Sequence, residues 1–156
     1  MDTTNETHTT NDRSPAQVEQ TINAMVRLIT DDPFELPEAL LLGISYRDGV
    51  SVNFIASGEN VYALLGETRH KLEASVFDAA AVVTCGWATP FDSSESLSEA
   101  AEPRRRPERT RVRVTLIAGE DGICSAIRFA NNPDDVIINN GYYGPAGDAL
   151  SDFWTR

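Results

Sequence analysis

The chain has 156 residues, enough for one domain with a hydrophobic core of its own. Its 24 acidic and 13 basic side chains give a net charge of −11, which argues against direct nucleic-acid binding, and its apolar runs are too short to span a bilayer. Two cysteines and two widely separated histidines cannot furnish a standard zinc site, and no cofactor fingerprint is present.

Residues 1–13 are polar and acidic, with no apolar stretch behind a basic patch. This is not a secretory signal, so a disordered acidic tail, a cytoplasmic location and reduced thiols are expected. A single globular domain is expected over 14–156. Ser14-Pro15-Ala16-Gln17 reads as a capped helix start, followed by Val18, Ile22, Met25, Val26 and Ile29 at helical spacing. Asp31-Asp32-Pro33 ends that helix. Leu40, Leu42, Ile44 and Tyr46 then alternate, Arg47-Asp48-Gly49 turns, and Val50, Val52 and Phe54 alternate back, predicting a hairpin.

Val61, Leu64 and Leu65 suggest a short helix that Gly66 breaks, with Leu72 and Val76 in a further one. Ala79 to Ala88 is apolar on both alternating sets, as in a strand buried on both faces. A long charged loop is expected over 90–110. A second hairpin follows, Arg111 to Ala118 and Ile123 to Phe129, turning at Gly119-Glu120-Asp121-Gly122. Residues 131–135 read as a loop, Val136 to Ile138 as a short edge strand, and Pro145 opens a last helix with Ala146, Ala149, Leu150, Phe153 and Trp154 on one face. The fold expected is α+β: a largely antiparallel sheet of five to six strands with N- and C-terminal helices packed on it, in the order α-β-β-(α)-β-β-β-α. This order of elements resembles that of roadblock-like and profilin-like domains, a likeness of topology that no motif accompanies.

Charge is unevenly distributed. Pro103 to Arg113 (PRRRPERTRVR) holds six of the 13 basic residues and one acid, a local charge of +5 against −16 for the rest. A two-residue loop at Glu120-Asp121 sets the hairpin register. It places Arg111, Arg113 and Arg128 on one face, with Arg113 opposite Arg128, near Arg104, Arg105, Arg106 and Arg109. Like charges directly opposed destabilise a sheet, so a neutralising partner is required. Either the neighbouring acids Asp92, Glu95, Glu99 and Glu102 fold back, or an external carboxylate or phosphate is bound.

Tyr142 and Tyr143, in a Gly-rich turn before the last helix, could stack on a ligand or cap the core. Cys85 and Cys124 read as buried small hydrophobes, and His70 has no catalytic neighbours in sequence. Trp87, at the end of the buried strand, is expected to pack in the core. With no convergent catalytic pattern, the sequence favours a non-enzymatic binding or adaptor domain that meets a protein partner through Arg104, Arg105, Arg106, Arg109, Arg111, Arg113, Arg128, Tyr142 and Tyr143. A helix face or sheet edge offers a homodimer contact, and no cofactor, metal or membrane is implied. A small enzyme or small-anion binder, and an acidic decoy of nucleic acid, are the alternatives.

Overall fold

A computed structural model describes residues 14–30, 34–68, 76–88, 109–140 and 145–154. The elements are α1 (Pro15–Ile29), β1 (Ala39–Ser45), β2 (Ser51–Gly58), α2 (Val61–Thr68), β3 (Ala79–Ala88), β4 (Thr110–Gly119), β5 (Gly122–Phe129), β6 (Asn132–Asn139) and α3 (Pro145–Trp154). The tail at 1–13, His70 and the charged segment at 89–108 lie outside the described residues.

The six strands form one sheet in the order β2-β1-β3-β4-β5-β6, every neighbouring pair antiparallel. Because β2 and β3 flank β1 and both oppose it, they run parallel to each other, and α2 is the crossover between them. The chain is therefore α+β, with helices on both faces of an antiparallel sheet.

Side-chain alternation assigns each helix its face. Leu40, Leu42, Ile44, Ala79, Ala81, Val83 and Ile117 point to α1, which buries Val18, Ile22 and Val26 against them. Leu41, Ala80, Val82, Leu116 and Ala118 point the other way, toward Leu64 and Leu65 of α2 and Leu150 and Phe153 of α3. Ala79 to Val83 are buried on both faces, which accounts for the unbroken apolar run of β3. Among the described residues no helix is long and apolar enough to cross a membrane.

Local chemistry fixes the ends. Ser14 caps α1, its Oγ accepting from the Gln17 amide at 3.2 Å. The Asp78 amide donates to the Ile44 carbonyl at 2.8 Å, and its carboxylate accepts from the Tyr46 amide at 2.7 Å, tying the entry of β3 to the end of β1. The adjacent Phe77 ring lies on Gly43, where a Cβ would come within 2.6 Å of it. In the β4–β5 turn Glu120 and Asp121 keep negative φ and Gly122 takes +108°, as when a type I turn closes on glycine.

Two expectations need correction. Gly66 does not break α2, which continues to Thr68. Of the expected loop at 131–135, only Asn131 stays in the turn; Asn132 to Asp135 belong instead to β6, which starts at Asn132. As an edge strand β6 accommodates Pro133, Asp134 and Asp135.

Candidate functional site

The β4–β5 register expected from the two-residue loop is present: Arg113 faces Arg128, Thr115 faces Ala126 and Ile117 faces Cys124. Arg111, Arg113 and Arg128 thus project toward α1. That helix presents Glu19, Asn23 and Arg27 on one flank at four-residue spacing.

Arg128 forms a fork with Glu19, Nε donating to Oε2 at 2.7 Å and Nη2 to Oε1 at 2.6 Å. Its Nη1 donates to the Pro133 carbonyl at 2.7 Å, which ties β6 to the pair. Both charged side chains are almost fully buried, at 6% and 2% exposure, and the bond to Glu19 raises the Arg128 pKa. Arg113 donates Nη1 to the Phe34 carbonyl at 3.2 Å and Nη2 to Oδ1 of Asn23, and its guanidinium lies 5.4 Å from the Phe34 ring centre. Burial lowers its pKa. Arg111 donates Nε to both carboxylate oxygens of Glu35, at 2.9 and 3.1 Å, and Nη2 to Oε1. This pair is half exposed, at 27% and 41%.

The charge of the three strand arginines is thus met by residues of α1 and of the segment entering β1. Sequence reasoning looked for that balance in the acids at 92–102 and missed Glu19, Asn23 and Glu35. Glu19 and Asn23 carried a signal: they sit four residues apart, beside the apolar stripe of α1.

Trp87 is paired with Arg111 at the far end of β3. It was expected to pack in the core, yet it is 39% exposed. The strand runs past the end of the helical cover, so its last side chain on the α1 face emerges at the surface. Two guanidiniums flank its ring, Arg109 at 4.5 Å and Arg111 at 5.0 Å from the ring centre. Ala88 pairs with Thr110, so segment 89–109 leaves and rejoins the sheet at this end. Arg104, Arg105 and Arg106 are outside the described residues.

Tyr142 and Tyr143 also lie outside the described residues. The last residue of β6, Asn139, pairs with Ser125, so β6 ends toward the opposite end of the sheet from Trp87. An open cleft of about 400 Å³ lies at that opposite end. Val18, Ile117, Ile123 and Cys124 line it, and Asp78 and Glu120 make it acidic. From Ala79 to Trp87 the sheet spans about 26 Å, at roughly 3.3 Å per residue.

Burial raises the thiol pKa of both Cys85 and Cys124. Cys85 donates Sγ–H to the Phe34 carbonyl at 3.6 Å. Neither thiol has the lowered pKa of a nucleophile. They flank β4 at Arg113 and Ile117, four residues or about 13 Å apart along the strand, beyond disulfide reach. Among the described residues no group of three or more His, Cys, Asp or Glu could hold a metal ion.

Compared with protein-family models, curated proteins and solved structures, the chain matches none significantly. The likeness in element order to roadblock-like and profilin-like domains gains no support from those comparisons.

Proposed function

We propose that this chain is a non-enzymatic binding domain that engages a carboxylate-rich protein segment at the Trp87 end of its sheet. The observation that carries the reading is the half-exposed Trp87 ring flanked by Arg109 and Arg111, where the segment bearing Arg104, Arg105 and Arg106 rejoins the fold. Tryptophan and arginine dominate binding hot spots, because each offers a large rigid surface together with directional donors. Glu35 already takes Nε and Nη2 of Arg111, so an external carboxylate would meet its Nη1 edge together with Arg109.

The arginines divide into two groups under this reading. Arg113 and Arg128 are buried and hold the fold together. Arg109 and Arg111, with Arg104 to Arg106, meet the partner. The surrounding negative charge repels acidic chains elsewhere on the surface and directs them to this end. Under this reading the interaction takes place in the cytoplasm, where Cys85 and Cys124 would stay reduced.

The test is thermal unfolding with poly-glutamate, inorganic phosphate, nucleotides and short single-stranded DNA at low and moderate salt. Poly-glutamate is expected to raise the melting temperature of the wild type. In the Arg104→Ala/Arg105→Ala/Arg106→Ala variant the shift should vanish while the unliganded melting temperature is unchanged. A shift with phosphate or one nucleotide alone would replace this reading with a small-anion site.

A further inference from the structure

The two edges of the sheet are built differently. Edge strand β6 carries Pro133, Asp134 and Asp135, the residues that keep an edge from pairing with another chain. Edge strand β2 (SVNFIASG) carries no charge and no proline over eight residues. Ser51, Asn53, Phe54 and Ser57 are exposed, Phe54 at 54%. Phe54 pairs with Leu42, so it lies on the α1 face, next to Val52, which packs on the core. The flank of α1 opposite Glu19, Asn23 and Arg27 carries Met25 and the exposed Leu28, extending the apolar strip on that side.

We infer that β2 is an isologous interface at which a second copy of this chain adds its own β2, antiparallel, to make one continuous sheet. An antiparallel self-pairing keeps each side chain on its own face only when paired residue numbers have an even sum. A register centred on Asn53 sets Val52 of each copy opposite Phe54 of the other, covering both exposed rings.

The same pairing brings the N-terminal end of each β2 beside the C-terminal end of the other. Arg47, in the β1–β2 turn, then approaches Glu59, the residue following β2 in the second copy. Both are exposed, and neither forms an ion pair among the described residues. The two-fold axis makes this contact twice. Asp48 shares the turn with Arg47 but has the shorter reach. A second copy is the occupant that fits: the strand is neutral and self-complementary, and the longer flanking side chains, Arg47 and Glu59, are of opposite sign. This interface does not involve the Trp87 end.

Sedimentation equilibrium of the full chain across a dilution series tests the inference, with thermal unfolding recorded on each variant. The wild type should form a reversible dimer of twice 17.1 kDa. Phe54→Lys should be monomeric with its fold retained, since it places lysine in an exposed position. Arg47→Glu should raise the dimer dissociation constant about tenfold, as two rim contacts turn from attraction to repulsion. Adding Glu59→Arg should restore it. A wild type that stays monomeric up to its solubility limit would overturn the inference. So would a dimer that survives Phe54→Lys, or an Arg47→Glu loss that Glu59→Arg fails to recover.

Discussion

Glu19 and Arg128 show most plainly how single residues decide this structure. A buried ion pair gains from its own geometry but leaves an uncompensated charge when one partner is removed. Glu19→Ala should therefore cost about 3–5 kcal/mol of unfolding free energy, measured by denaturant titration. The double change Glu19→Met/Arg128→Met should recover most of that loss, because an apolar pair needs no desolvation. Arg111→Ala should cost at most about 1 kcal/mol, since its partner Glu35 is 41% exposed and screened. The register that opposes Arg113 to Arg128 was legible because the Glu120-Asp121 turn fixes it by arithmetic. Their counterparts were only partly legible: Glu19 and Asn23 align four residues apart beside the α1 stripe, but Glu35 lies in the irregular segment before β1, and nothing local marks the arginine that any of them meets. Partial burial, with the raised thiol pKa it produces, predicts that Cys85 and Cys124 react with a disulfide reagent more slowly in the native than in the denatured chain.

At the scale of elements, patterning worked where apolar positions repeat with a clear period and failed where a residue that usually breaks structure is tolerated. β3 was legible as a central strand because both its alternating sets are apolar, and α1 because its cap and stripe agree. The start of β6 was missed because an outer edge tolerates proline and aspartate, the residues that elsewhere signal a loop. Gly66 was read as a helix end, yet α2 carries through it with open space beside its Cα. Gly66→Ala should therefore raise stability by about 0.5–1 kcal/mol, the difference in helix propensity. Gly43→Ala should act in the opposite sense, by about 1–3 kcal/mol, because its Cβ would collide with the Phe77 ring. Chemical denaturation of the two variants separates a glycine that is incidental from one that packing requires.

The whole molecule is acidic, with Arg109, Arg111, Arg113 and Arg128 toward the Trp87 end of the sheet and an acidic cleft at the other end. The charge asymmetry was legible in the sequence. The direction of β6, which ends at Asn139 away from the Trp87 end, was not. The central claim is that the Trp87 end recognises carboxylate-rich chains, and Trp87 itself reports on it. The most direct measurement is its fluorescence during titration with poly-glutamate, using Trp87→Phe to subtract the contribution of Trp154. The account predicts a saturable change at low salt that weakens as salt rises and is lost when Arg104, Arg105 and Arg106 are all alanine. A signal that does not respond to poly-glutamate at any salt, or that persists unchanged in the triple variant, would contradict it.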